Sequence, residues 1–222
     1  MDSIWRITTL TVGMAVAATV IMLPVGLLLA WILARKRFPG RVLLETIVSL
    51  PLVMPPVATG LLLLMLLAPR GPLGGFLARF GIDVVFTWKA VVIAMAVMGL
   101  PLLVRTARAG FEQVDQRYES VAATLGARPL RVFLTVTLPL ALPAVAAGAV
   151  LSFARAIGEF GATMMIAGSI PGSTRTLAVA IYSFAETGRD SEAVQLVGVS
   201  AALAFGALWL SNWITARAGV RA

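Results

Sequence analysis

The chain has 222 residues, 59% of them hydrophobic and only 13% charged, with a mean hydropathy of +0.95. A soluble chain carries about a quarter charged residues, so nearly all of this one is membrane, and no soluble catalytic domain fits in the remainder. Cysteine and histidine are both absent, which excludes disulfides, thiolate chemistry and imidazole metal sites. The net charge of +8 sits at the ends of apolar runs, with no basic stripe of interleaved aromatics, so it reads as an orientation signal and not as a nucleic-acid surface.

Taken in order, residues 1–6 are short and polar, and Ile7 to Ala34 is apolar without a charge. That run exceeds the roughly 20 residues needed to cross a bilayer. A cleaved signal would start basic and have a short apolar centre; here Asp2 precedes Arg6, and the sequence predicts an uncleaved first span. It ends at Arg35-Lys36-Arg37, followed by the tight basic loop Phe38-Pro39-Gly40-Arg41. The second span, about Leu43 to Ala68, contains Pro51, Pro55, Pro56 and Gly60. So many helix-disrupting residues are tolerated only where the broken backbone faces protein or a water-filled cavity. The two readings are a bent helix that lines a pathway and a span that is merely kinked.

A Gly- and Pro-containing loop, 69–87, leads to a third span from Trp88 to about Val104, closing on Arg105 and Arg108. The fourth begins near Val132, carries Pro139 and Pro143, passes Gly148 and Ser152, and runs out near Gly168. In the polar stretch 169–192, Leu177 to Phe184 reads as a re-entrant or surface helix. The fifth span is about Ala193 to Ile214, with Trp209 and Trp213 near its end, then Arg217 and Arg221. The expected class is therefore an all-α polytopic membrane protein of about five spans in one domain, 1–222.

Five spans put the termini on opposite sides. Arg35, Lys36, Arg37, Arg41, Arg105, Arg108, Arg117, Arg128, Arg131, Arg217 and Arg221 fall on one side, eleven in all, against six on the other: Arg6, Arg70, Arg79, Lys89, Arg175 and Arg189. The positive-inside rule places the first group, the C-terminus and the 109–131 stretch in the cytoplasm, and the N-terminus outside.

Within that cytoplasmic stretch, Glu119 opens a short run in which Val121, Ala122 and Leu125 fall on or near one helical face. Gly126 stops it, Arg128 and Arg131 follow, and Pro129 forbids a continuous helix. This is either a knob that docks into a groove on another protein or a loop helix on the bilayer surface. A second unusual place is Arg155 and Glu159, four residues apart in an apolar segment and so sharing a face if helical. A charge there is costly unless paired or facing a cavity. The pair either packs the span or lines and gates a path for a charged solute.

Ser120 to Pro139 resembles the cytoplasmic loop of ATP-binding-cassette importer permeases, which reads E-A-A, three residues, Gly, nine residues, I-x-L-P. Val121 and Ala122 stand at the two Ala positions, Gly126 matches, and Val136, Leu138 and Pro139 match the end. The departure is Ser120 at the Glu position, with Glu119 one residue earlier. The Arg-Lys-Arg-Phe-Pro-Gly loop at 35–40, the segment 50–57 and Phe153-Ala-Arg-Ala-Ile-Gly-Glu-Phe-Gly-Ala162 resemble the molybdate branch, with parts shared by sulfate and tungstate permeases.

The resemblance implies a type I importer permease: a homodimer in lipid, with two copies of a cytoplasmic ATPase below and a periplasmic oxyanion-binding protein above. It makes the short helix a coupling helix, with Glu119, Ser120, Val121, Ala122, Leu125, Gly126 and Arg128 as ATPase-coupling residues. Pro51, Pro55, Pro56, Gly60, Ser152, Arg155 and Glu159 are the candidates for pathway or gate. The sequence has no G-x-x-x-x-G-K-[ST] loop, and the resemblance implies that this chain binds no cofactor and is no enzyme, with ATP and Mg on the partner ATPase. The rivals are a sulfate or tungstate permease and, from another class, an ATP-independent carrier, which would need inverted repeats.

Overall fold

A computed structural model describes residues 3–219; Asp2 and Arg221, both weighed above, lie outside the described residues. The order of elements is α1 (Ile4–Arg35), α2 (Arg41–Val53), α3 (Pro56–Leu67), α4 (Pro72–Ala78), α5 (Trp88–Gln113), α6 (Gln116–Thr124), α7 (Pro129–Val132), a π-turn (Phe133–Thr137), α8 (Leu138–Ile157), α9 (Gly161–Ala167), α10 (Leu177–Glu186) and α11 (Asp190–Gly219). There is no strand among the described residues. Four helical segments are long and apolar enough to cross a membrane, and the broken pair α2–α3 brings the count to five.

The bundle is organised around α5. In its most apolar stretch 61% is buried, against 28% for α1 and 17% for α11, so α5 is enclosed by protein while α1 and α11 leave most of their surface uncovered. Small residues let the neighbours approach. Gly110 meets Ala144, Gly148 meets Thr106, and Ser152 Oγ donates to the Gly99 carbonyl at 3.0 Å. These pairs run in opposite order along the two chains, so α5 and α8 are antiparallel. Met22 meets Gly99 and Gly26 meets Leu103, in the same order, so α1 and α5 are parallel. On α11, Ser211 Oγ donates to the Ala147 carbonyl while Ala202 and Leu203 reach the level of Phe153, which makes α11 antiparallel to α8. The end of α1, the end of α5, α6 and the end of α11 therefore share one face of the bundle. The starts of α1 and α5 share the other.

Several expected boundaries move. The third span does not close at Val104: α5 runs on to Gln113. Arg105 and Arg108 end the apolar layer but not the helix, because Arg108 is held by Glu45 and Glu112, each at 2.7 Å. The second span is broken rather than bent, with α2 and α3 at 113° to each other. Pro55 and Pro56 supply no N–H, and Met54 before them is extended at ψ 146°.

The fourth span is not continuous to Gly168. It is helical from Pro129 through the π-turn to Ile157, breaks at Gly158–Phe160, and resumes as α9. The Ser152–Gly99 bond fixes the level of that break. From Gly99 to its start at Trp88, α5 climbs roughly 16 Å further, whereas α8 has only roughly 8 Å left. The break therefore lies well below the level at which α5 starts. The segment 177–184 is not a surface helix: in α10, Leu177, Val179, Ala180 and Phe184 are buried, and the Leu177 amide donates to Thr11 Oγ1 on α1 at 2.9 Å.

Candidate functional site

Two places carry chemistry: the short helix α6 at one face of the bundle, and the helix break inside it. α6 begins one turn earlier than expected, because the Asp115 carboxylate accepts from the Arg117 amide at 2.9 Å and caps it there. Its end is as expected. Gly126 has φ +85°, the Gly126 amide donates to the Ala123 carbonyl at 3.0 Å, and the Ala127 amide donates to the Ala122 carbonyl at 3.1 Å. This is a Schellman ending, and it needs glycine for backbone angle, since nothing lies within 4 Å of a Cβ added there.

The expected coupling residues divide between two sides. Ser120, Val121, Leu125, Gly126 and Arg128 are exposed, and Leu125 is 83% exposed. With Tyr118 and Leu130 the exposed apolar residues form an uncovered patch at a polar face, which is where a partner surface fits and water does not. Ser120 Oγ is occupied locally, donating to the Gln116 carbonyl at 3.0 Å. Ala122 is half-buried. Glu119 turns the other way, into the bundle: its Oε1 accepts from Arg35 Nε at 3.1 Å, from Arg35 Nη2 at 2.8 Å and from Thr137 Oγ1 at 2.8 Å. Arg35 and Thr137 were not singled out from the sequence. Arg35 read as one more orientation charge, and Thr137 sits unremarked in an apolar run.

At the break, Glu159 is not on the helix that carries Arg155. It lies just past the α8 end at Gly158, yet the pair forms: Glu159 Oε2 stands 2.7 Å from Arg155 Nη1. The other oxygen, Oε1, accepts from the Ala162 amide at 2.9 Å, in the first turn of α9. The Glu159 side chain is 1% exposed and that of Arg155 27%, so the carboxylate is interior and the guanidinium reaches outward. One acid thus neutralises the Arg and joins the two halves of the broken helix.

Across from the break, α3 packs directly on α9. A Cβ on Gly60 would lie 2.7 Å from Ala162 Cα, and one on Gly161 would lie 2.8 Å from Pro56 Cβ. Gly60 and Pro56 therefore belong to a close helix crossing. Pro55 and Pro56 are exposed, Pro51 is half-buried within α2, and α2 has no buried residue at all. Ser152 is buried and spent on α5, apart from this crossing. No group of three or more acidic side chains that could hold a metal is present among the described residues.

The described residues form an all-helical bundle with an exposed capped helix at one face and two broken helix pairs, the architecture of a polytopic membrane protein. The chain belongs to the family described as binding-protein-dependent transport system inner membrane component, whose profile matches residues 22–219. It is 45% identical over 215 residues, 96% of this chain and 94% of the relative, to the molybdenum transport system permease protein ModB of Escherichia coli strain K12. The ModB of Mycobacterium tuberculosis is 44% identical over 89% of this chain and 76% of its own. The sulfate transport system permease protein CysT of Salmonella typhimurium is 45% identical over 71% of this chain but 57% of its own.

Among solved structures, a bacterial alginate ABC transporter in complex with a pentasaccharide-bound periplasmic protein superposes with a TM-score of 0.71 at 18% identity. That match covers 96% of this chain and 78% of the other. The MetNI methionine transporter does so with 0.62 at 17% identity, covering 95% and 94%. At these identities the structures speak for the fold alone, which is that of ABC importer permeases.

Proposed function

We propose that this chain is the single-domain membrane subunit of an ATP-driven importer that carries molybdate across the inner membrane. The observation that carries the reading is the 45% identity to a molybdenum permease over nearly the full length of both chains. The exposed apolar patch of α6 supports docking to a separate ATPase, and the absence of a phosphate-binding loop from the sequence leaves ATP and Mg to that partner. Two permease copies pair in the membrane, with α2, which has no buried residue of its own, as part of what is unsatisfied in one copy alone. A periplasmic oxyanion-binding protein delivers the anion from the other face. The face with α6 and the α11 end is cytoplasmic, where the basic residues gather, and the start of α1 is outside.

The anion passes the break between α8 and α9. Arg155 is the cation paired at the break; its charge suits a tetrahedral dianion, and Glu159 keeps it neutralised when no anion is present. Selectivity belongs to the binding protein, and this chain needs no tight site. Alternation between two arrangements is driven by ATP and the loaded binding protein.

The test is ATP hydrolysis by the complex of this chain with its ATPase and binding protein, with molybdate, tungstate and sulfate added in turn. Stimulation by molybdate and not by sulfate is expected. Stimulation by sulfate alone would favour the second reading, which the CysT relative supports. No stimulation by any of them would return the chain to an ATP-independent carrier.

A further inference from the structure

We propose that Glu119 is a latch that ties the coupling helix to three spans at once, a positioning residue through which displacement of α6 reaches α1 and α8. This rests on the reading of α6 as the ATPase-docking element and adds the route by which its movement is passed on. Glu119 Oε1 takes three donors, two from Arg35 at the end of α1 and one from Thr137 at the base of α8. Arg35 Nη2 also donates to the Val114 carbonyl at 2.9 Å, where α5 ends. One carboxylate oxygen and one guanidinium thus gather the ends of α1, α5 and α8 onto α6. Apart from the backbone at its two ends, Glu119 is the side chain of α6 that is held by charge-assisted bonds to the bundle. Arg35 is 8% exposed and Glu119 22%, so these bonds are largely out of bulk water.

The geometry at Thr137 makes the contact specific. Thr11, Thr19 and Thr215 each donate to the carbonyl four residues earlier in their own helix, and Thr135, within the π-turn, donates back to Arg131 of α7. Thr137 does neither. It closes the π-turn, where the Phe133 carbonyl accepts from the Leu138 amide, and its hydroxyl, on a residue 1% exposed, goes to Glu119 instead. Thr137 thus stands at the end of the π-turn with its hydroxyl directed at the coupling helix. Beside this node lies an open cleft of about 300 Å³ lined by Trp31, Glu119, Ala123, Pro129, Phe133 and Thr137. Without the latch, α6 keeps its Asp115 cap and its Gly126 ending and still docks, but it moves without pulling α1 and α8.

The test compares wild type, Glu119→Gln, Thr137→Val and Arg35→Lys in proteoliposomes holding the full complex. The readout is molybdate transported per ATP hydrolysed, a ratio that loss of folded protein does not change. The Gln and Val variants are expected to hydrolyse ATP while the ratio falls about fivefold or more, the lower end of ordinary coupling between sites. Arg35→Lys keeps the charge, loses the fork, and falls between. An unchanged ratio, with only proportionate loss of both rates, overturns the latch. If Glu119→Gln does not assemble, Thr137→Val, which keeps shape and burial, decides by the same ratio.

A second measurement stands apart from the import reading. Amide hydrogen exchange on the purified chain should be faster across Gln116–Thr124 in Glu119→Gln and Thr137→Val than in wild type. Unchanged exchange there overturns the latch whatever the complex does. Absence of molybdate-dependent hydrolysis in the wild-type complex, with faster exchange in the variants, overturns the import reading and leaves the latch standing.

Discussion

Removing the charge of Glu159 gives the sharpest test of how the broken helix is held. The side chain is 1% exposed and makes two bonds, one to Arg155 at 2.7 Å and one to the Ala162 amide at 2.9 Å. Glu159→Gln keeps an acceptor for the amide but leaves Arg155 without its counter-charge. Breaking a buried pair from one side costs about 3–5 kcal/mol. Because Arg155 is 27% exposed and can reach toward the headgroups or water, a cost below that range, about 2–3 kcal/mol, is expected. Arg155→Gln strands the fully buried carboxylate and is expected to cost more, about 3–5 kcal/mol. Replacing both removes both orphaned charges, so the double variant should lie well below the sum, with a coupling of about 2 kcal/mol. The assay is denaturant unfolding of the purified chain in detergent, followed by tryptophan fluorescence and read as a double-mutant cycle. Additivity within about 0.5 kcal/mol would show that Arg155 and Glu159 are independent, because residues that neutralise each other cannot be.

The α3–α9 crossing predicts a contrast between two glycines. Gly60→Ala puts a Cβ 2.7 Å from the Ala162 backbone and should destabilise by about 1–3 kcal/mol, whereas Gly198→Ala, with nothing within 4 Å, should change thermal stability little; equal effects would deny the crossing. Gly126→Pro demands φ near −65° where the chain has +85°, and should leave membrane insertion intact while substrate-dependent ATP hydrolysis is lost; normal stimulated hydrolysis would remove α6 from coupling. For orientation, the chain has no native cysteine, so single cysteines at Ser173 and Arg117 report cleanly. An impermeant thiol reagent added outside should label the first and spare the second, and the reverse pattern inverts the topology.

What could be read in the sequence was local. The apolar runs located every span, and Gly126 declared its left-handed angle because a helix stop needs only its neighbours. The ends of spans were less legible. Hydropathy marks where the apolar layer stops, while α5 continues past Arg105 and Arg108 because Glu45, from another helix, meets Arg108. Pro55 and Pro56 announced a disruption, but the 113° turn depends on α3 finding a seat on α9 through Gly60 and Ala162, a hundred positions away. The Arg155–Glu159 pair was legible from its spacing, though the helix the spacing assumed is interrupted at Gly158. Glu119 was the least legible of the candidate residues. It stands one residue before the motif's Glu position, and the fold brings Arg35 and Thr137 to it.

This chain is expected to pass molybdate only when a partner hydrolyses ATP. The direct measurement is uptake of labelled molybdate into proteoliposomes that contain the chain with its ATPase, with binding protein and label outside and ATP enclosed. Accumulation that requires both ATP and the binding protein, and is not competed by equal sulfate, is the predicted result. Uptake that proceeds without ATP, or no uptake from a complex shown to be assembled, would contradict the account.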